Sequence, residues 1–321
     1  MHTDQQSAYR ISVIIPTLNA GPALHNLLDK LQNQTYRPHE IIVIDSESID
    51  GTPQSAKQAG ARVITVRRSE FDHGGTRNMA VEAAEGNILL FMTQDAEPLN
   101  EHMIEELTKP LRAGNEVVYA YARQCARPEA DILEQLARRH NYPEKSQVKS
   151  FEHVGQMGIK TFFCSNVCAA IRKETFEAMG RFQAPVIFNE DLFMSARCIL
   201  SGFKVAYCAE ALVYHSHHYS LMQQLRRYFD NGVSMSCNSW IMPYSAVGKA
   251  GSSLVKQQLK ALIESRRWLH IPHLMLEAGA KLVGYKLGIH FRKLPTFMRR
   301  RLSMHKHILE RYIEQNRAMT D

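Results

Sequence analysis

Five short stretches carry side chains whose types and spacing suit chemistry. Asp45 closes the apolar run IIVI, in VIDSESIDGT. A carboxylate there can accept a hydrogen bond from a base imide N–H or a ribose hydroxyl, or it can cap the next turn. Asp95 follows the apolar run ILLFM, in TQDAEP, with Glu97 two residues on. Carboxylates in a loop after a buried strand suit a hard divalent cation on phosphate oxygens. Residues 71–78 read FDHGGTRN. The two glycines let the backbone approach a ligand closely. His73 and Arg77 can donate to phosphate, Arg77 from the first turn of a helix; the plainer alternative is a Gly-Gly helix entry with a solvated Arg. Residues 189–191, Asn189-Glu190-Asp191, open a helix. Either acid there can act as a general base, or both can simply favour the helix dipole. Residues 214–219 read YHSHHY. In a strand His215 and His217 share a face, and one could join Asp95 on a metal. No neighbouring Cys or Glu points to zinc.

The elements that must position these residues follow from periodicity. Residues 11–15, 41–44, 62–66 and 88–92 are short apolar runs that read as strands. Residues 22–34 have helical spacing, with Leu24, Leu27, Leu28 and Leu31 on one face. Thr52 suits an N-cap before Pro53, and 76–85 reads as another helix. Strands alternating with helices predict an α/β fold, a parallel sheet with helices on both faces. Ligands then bind at the carboxyl ends of the strands, where Thr17–Asn19, Asp45–Ser48, Arg67–His73 and Gln94–Glu97 lie. Further on, 117–122 and 161–171 read as strands, 190–201 as a helix, and 204–208 and 211–215 as two short strands. From about 219 the chain reads as helix or linker, with a hinge suggested by Gly248, Gly251, Ser252 and Ser253. The division expected is a catalytic body over 1–245 and a basic helical extension over 246–321.

Composition narrows the classes. A 321-residue chain with 45% apolar and 22% charged residues is a globular protein, neither disordered nor collagenous. Its six cysteines match no zinc or redox spacing, so reduced thiols and a cytoplasmic setting are expected. The N-terminal MHTDQQSAYR has no apolar core, so no signal peptide is expected. The net charge of +7 is uneven: residues 251–321 hold 14 Lys and Arg against 5 Asp and Glu, while 1–250 hold 25 against 27. Such a block implies an anionic surface, nucleic acid or acidic lipid. A nucleic-acid module lacks support, since no zinc finger, RNP motif or helix-turn-helix signature is present. No G-x-G-x-x-G follows the first strand, and no P-loop occurs.

Taken together, the residues resemble a family 2 glycosyltransferase of the GT-A fold. ISVIIPTLNAG (11–21), VIDSESIDGT (43–52), TQDAEP (93–98) and NED (189–191) fall in that family's order and spacing, over about residues 10–245. FDHGGTRN is similar to a motif of bacterial rhamnosyltransferases that build O-antigen, capsule or other surface polysaccharides. RRYFDNGVSM (226–235) and KLVGYKLGIHFRKLP (281–295) resemble the tail of that subgroup. The resemblance implies that Pro16, Thr17 and Asn19 line the nucleotide pocket, with Asp45 on the base or ribose. His73, Gly74 and Arg77 would hold the diphosphate side, beside Gln94 and Asp95. Asp95 would contact Mg²⁺ or Mn²⁺ as the acid of a DxD-type motif, which here reads Gln94-Asp95-Ala96 with a single Asp. His215 or His217 would complete the metal site, and Asp191, paired with Glu190, would be the catalytic base.

The implied reaction is inverting transfer of L-rhamnose from dTDP-β-L-rhamnose to a polyprenyl-diphosphate-linked glycan. A UDP- or GDP-sugar donor is the alternative. A nucleotidyltransferase is more remote, and would carry a Gly-rich basic loop in place of PTLNAG. The basic extension would then hold the enzyme on the anionic inner face of the membrane. Phe291, Leu294, Phe297 and Met298, interleaved with Arg292, Lys293 and Arg299–Arg301, suit an interfacial segment. The competing reading is helices that pack on the body or form a homodimer.

Overall fold

Four apolar runs form the strands expected of them in the computed structural model, which describes residues 9–245 and 250–318. They are β1 (Ile11–Thr17), β2 (Glu40–Asp45), β3 (Arg62–Thr65) and β4 (Ile88–Met92), all mutually parallel. Alternate residues face opposite sides. Ile14, Ile42, Ile44 and Leu89 enter one apolar cluster, and Val13, Ile15, Val43 and Leu90 enter another. Helices α1 (Pro22–Gln32) and α2 (Thr52–Gln58) cover the second side, while α3 (Gly75–Glu82) covers the first. The cap of α2 falls one residue earlier than expected: Gly51 is the N-cap, and Asp50 Oδ1 accepts from Thr52 N at 3.1 Å.

The chain continues through β5 (Glu97–Pro98), α4 (Met103–Arg112), β6 (Val117–Cys125), α5 (Ile132–Asn141), β7 (Gln147–Lys149) and α6 (Val154–Met157). Then follow β8 (Cys168–Arg172), α7 (Lys173–Ala178), α8 (Glu190–Leu200) and β9 (Lys204–Tyr214). The strands join in the order β3-β2-β1-β4-β8-β6-β9-β5, with β7 paired on β9. Strand β8 runs antiparallel to β4, with Cys168 opposite Met92. Its start therefore lies at the edge where β1, β2 and β4 end, the edge that positions the site.

Two strand expectations change. Residues 161–167 are not extended: a 3-10 turn spans Gly158–Phe162, and the strand begins only at Cys168. The two strands expected at 204–208 and 211–215 are one. In β9 the pairing with β6 jumps from Ala122 opposite Cys208 to Arg123 opposite Leu212, a bulge that re-aims the strand end.

The remaining helices are α9 (Leu221–Cys237), α10 (Met242–Ser245), α11 (Ala250–Glu264), α12 (Ile271–Ile289), α13 (Thr296–Leu302) and α14 (Lys306–Ala318). Gly251, Ser252 and Ser253, expected in a hinge, lie inside α11; Gly248 and the 245/246 boundary lie outside the described residues. Helix α12 crosses α9 at backbone contact. A Cβ on Gly284 would sit 2.2 Å from Leu225 O, and one on Gly288 would sit 2.1 Å from Phe229 O. Phe291, Ile308, Leu309 and Tyr312 join the same apolar cluster as Phe91 and Phe176. The C-terminal segment is thus packed into the body.

Candidate functional site

At the ends of β1 and β2 the chain is tied to itself. Asp45 is 1% exposed, and its carboxylate accepts from Thr17 Oγ1 at 2.9 Å, Ser48 Oγ at 2.6 Å and Ser48 N at 2.9 Å. Pro16 stands opposite Ile44 in the parallel register. Asn19 sits at φ 48°, in the left-handed region, and its Oδ1 accepts from Ile49 N at 3.0 Å. Gln94 binds this loop through both atoms of its amide: Leu18 N donates to its Oε1 at 2.8 Å, and its Nε2 donates to Leu18 O at 3.2 Å. The loop after β4 is thereby fastened to the loop after β1.

Asp95, His215 and His217 come together. Their ligating atoms lie within 4.8 Å of one another. Asp95 Oδ2 is 3.6 Å from His215 Nε2 and 3.3 Å from His217 Nε2. The tautomer of His215 is set from outside. Gln124 Oε1 already accepts from Arg138, and it stands 2.9 Å from His215 Nδ1. An oxygen cannot donate, so Nδ1 carries the proton and the Nε2 lone pair faces Asp95. Burial pushes His215 down, against the pull of Asp95, and pushes His217 down to about 4 with help from His215. Two neutral imidazoles and one carboxylate fit a divalent ion with open positions. Glu97, two residues from Asp95, belongs elsewhere: it pairs with Lys30 at 2.6 Å and Arg127 at 2.8 Å.

The acids that open α8 form a second, closed group. Asp191 Oδ2 accepts from Asn166 N at 3.0 Å, and Oδ1 from Leu192 N at 2.8 Å. Glu190 Oε1 accepts from Asn166 Nδ2 at 3.2 Å and lies 3.3 Å from Arg77 Nη1. Tyr119 donates to Asn166 Oδ1 at 2.6 Å. Burial, reinforced by the Glu190 charge, raises the Asp191 carboxyl well above the ordinary carboxylate range. Asn166 is the residue that sequence reasoning missed. It is buried at the turn before β8, and nothing in the local pattern marks it.

The FDHGGTRN stretch serves this closed group. Arg77 donates to His73 O at 2.7 Å besides pairing with Glu190. A Cβ on Gly74 would lie 2.0 Å from Gln183 O, so this glycine admits the chain's own backbone. Asp72 Oδ1 accepts from Gly74 N, Gly75 N and Val186 N, and its Oδ2 pairs with Arg311 of α14 at 3.3 Å. The His73 ring packs edge-on to His305, 5.0 Å between centroids, and burial pushes it down to about 3. These contacts tie His73, Gly74 and Arg77 to the chain's own packing and to Glu190.

The C-terminal surface also differs from expectation. Phe291 is 1% exposed and Leu294 packs on the core, while Phe297 is 71% exposed, so only part of the segment expected over 291–298 is a free face. Further bare apolar side chains lie on one face of α12, Met275, Leu276, Leu282 and Val283, and at its entry, Trp268 and Leu269, the latter 93% exposed. Among the described residues no helix is long and apolar enough to cross a membrane. The six cysteines are unpaired.

A family model described as glycosyl transferase family 2 matches residues 12–180. The chain is 41% identical over 298 residues to the O-antigen chain rhamnosyltransferase WbaN of Salmonella anatum, covering 92% of this chain and 94% of that protein. It is 40% identical over 304 residues to the O-antigen chain rhamnosyltransferase RfbN of Salmonella typhimurium, covering 92% and 95%. Among solved structures, it is similar to the mannosyltransferase PcManGT from Pyrobaculum calidifontis in complex with GDP-Man and Mn²⁺. The TM-score is 0.59 at 16% identity, over 89% of this chain and 88% of that one. S. aureus TarS 1-349 gives a TM-score of 0.56 at 14% identity, over 88% and 91%. At those identities the two structures speak to fold, and the fold is of the GT-A type.

Proposed function

This chain belongs to glycosyl transferase family 2 and is a glycosyltransferase, and we propose that it transfers L-rhamnose from dTDP-β-L-rhamnose to a polyprenyl-diphosphate-linked glycan in O-antigen synthesis. The single observation carrying the reaction type is that an open Asp-His-His group and a half-buried carboxyl of raised pKa, Asp191, stand at one sheet edge. The rhamnosyl choice is supported by the two Salmonella relatives, each alike over nine-tenths of this chain.

In this reading Asp191 accepts the proton of the acceptor hydroxyl as that oxygen attacks the anomeric carbon. The new O–C bond forms as the bond to the donor diphosphate breaks, dTDP leaves with the electron pair, and configuration inverts. A carboxyl poised above its usual range holds the proton better, which suits a general base near neutral pH. Arg77 and Asn166 orient Asp191 and Glu190. Asp95, His215 and His217 would hold Mn²⁺, which when bound neutralises charge on the leaving diphosphate. Pro16, Thr17, Asn19 and Asp45 line the nucleotide side, and Gln94 holds that loop against Asp95.

The enzyme works at the inner membrane face, with the apolar side of α12 and the Trp268-Leu269 corner against lipid. Arg266, Arg267, Lys286, Arg292 and Lys293 are exposed nearby in sequence, and each basic residue near an anionic surface adds about 1 kcal/mol. Thermal shift with dTDP, UDP and GDP, with and without Mn²⁺, tests the donor: stabilisation by dTDP with Mn²⁺ is expected, and stabilisation only by UDP or GDP refutes the rhamnosyl reading. Sedimentation with anionic vesicles at low salt tests the surface. Leu269→Ser should leave more protein in the supernatant, and no binding by the parent chain removes the membrane from the proposal.

A further inference from the structure

A cleft lined by four arginines lies beside the Asp95-His215-His217 group. This cleft, of about 250 Å³, opens where β6 passes toward α5, and its wall includes Arg123, Gln124, Arg127, Arg138, Arg139 and Tyr142 but no carboxylate. Sites for drug-sized ligands run to about 300–1,000 Å³, so this one suits a small group and not a whole nucleotide sugar. Three of its arginines are held by carboxylates outside the wall. Arg123 Nη2 is 3.0 Å from Glu144, Arg127 Nη1 2.8 Å from Glu97, and Arg138 Nε 2.7 Å from Glu134. Arg138 is fixed again by Gln124 Oε1. Arg139 is exposed and has no ion pair or hydrogen bond among the described residues. The carboxylates order the guanidinium groups without entering the cleft, which faces inward with positive charge only. Guanidinium forks match phosphate oxygens in geometry as well as charge.

Its place in the fold says which phosphate. On one side Gln124 is shared with the metal group, since it accepts from His215 Nδ1 at 2.9 Å. On the other side α5 packs against the C-terminal helices: Leu133 clusters with Leu262 of α11 and Leu274 of α12, and Gln258 Nε2 donates to Leu133 O at 3.0 Å. Helix α12 is the one with the bare apolar face. The cleft thus lies between the transfer site and the surface that meets lipid. We propose that it binds the diphosphate of the lipid-linked acceptor, a site separate from the one that takes the donor. This rests on the reading that the acceptor is carried on a lipid diphosphate.

Calorimetry with inorganic pyrophosphate in EDTA tests the site with the metal group emptied. The parent chain and Asp95→Asn should bind it, and Arg139→Glu should bind about tenfold more weakly or worse, as expected for loss of a charge-assisted hydrogen bond. Farnesyl diphosphate should displace the pyrophosphate and dTDP should not, which separates a lipid source from a nucleotide source. In transfer assays Arg139→Glu should raise the KM for diphosphate-linked acceptor and leave the KM for dTDP-rhamnose in place. Arg139 is exposed, so an unchanged melting temperature is expected and verifies the fold of the variant. Pyrophosphate binding equal in Arg139→Glu, or displacement by dTDP, overturns the proposal. If the cleft behaves as stated but no rhamnosyl transfer to a lipid-linked acceptor occurs, the functional reading falls and the anion site stands. If transfer occurs and Arg139→Glu keeps the parent KM, the site falls and the reading stands.

Discussion

The Asp95-His215-His217 group and the Glu190-Asp191 group share one sheet edge and are built in opposite ways. Asp95 and His217 remain partly open to water, and only His215 is buried. Their order comes from behind, through Gln124, and their ligating atoms are left free for an incoming ion. Asp191 and Glu190 have most of their hydrogen-bonding capacity filled by the chain itself, through Asn166, Leu192 and Arg77. On the proposed function, the difference follows what each must exchange. Ligands to a metal and a leaving nucleotide turn over with every cycle, so they face solvent. A base of raised pKa depends on water being kept away, so its surroundings are permanent.

Removing the base should have the largest effect. Asp191→Asn keeps the shape and one of the two hydrogen bonds, from Asn166 N or Leu192 N, but cannot take a proton. Turnover should fall about 10²–10⁴-fold with the donor KM little changed. A variant that retains near-parent kcat removes Asp191 from the mechanism. In the parent chain the acid limb of kcat should lie above the ordinary Asp range near about 3.9, because the folded carboxyl is raised and must be deprotonated to act. For stability the dependence on pH is opposite: what this carboxyl contributes is present at low pH and fades as pH rises through its folded value.

Arg77→Met comes next, and it acts on stability as well as rate. The Arg77–Glu190 pair is buried, so taking one partner leaves an uncompensated charge. Breaking such a pair costs about 3–5 kcal/mol, readable by urea denaturation. Because the Arg77 charge also lowers Asp191, its loss should move the acid limb of kcat to higher pH. A stability change within about 0.5 kcal/mol, the size usual for surface substitutions, would show that the closed group does not need its cation.

Parts of this contrast were legible in the sequence, and the reason is range. The strands β1, β2 and β4 announce themselves because each is a continuous apolar run buried on both faces. The His215 and His217 pair is legible because alternate residues near a strand end share a side. The role of FDHGGTRN was not, because the atoms that crowd it belong to Gln183, Val186, His305 and Arg311, all more than a hundred residues away. The bulge in β9 is hidden by Ala209, Glu210 and Ala211, which read as ordinary strand. The surface of the C-terminal helices was legible only in part, for a related cause. Periodicity says that residues 291–298 have an apolar side, and only packing says that Phe291 uses it inward.

A smaller effect is expected on the open side, at Gln124→Leu. The substitution removes the acceptor that fixes His215 Nδ1–H and also frees Arg138. Loss of such an outer partner typically weakens metal binding about 10–100-fold, measurable by Mn²⁺ titration of donor binding. Asp191 is not in contact with this side chain among the described residues, so the pH midpoint of kcat should stay in place. A shifted midpoint would mean that the two groups are electrostatically one site.

The smallest effect is expected where the nucleotide loop meets solvent. Asn19 holds a left-handed backbone, φ 48°, and supplies an acceptor to Ile49 N at 3.0 Å. Asn tolerates that conformation better than Ala, which pays about 1–2 kcal/mol for it. Asn19→Gly relieves the strain and still loses the acceptor, so the pair of variants separates the two terms. If strain dominates, the Gly variant keeps parent stability and dTDP affinity while the Ala variant loses both. If the side-chain acceptor dominates, the two variants fall together. In the first case the loop is held by backbone shape and by Gln94, as in the closed group. In the second it is held by exchangeable polar contacts at the water boundary, as the metal-facing side chains are.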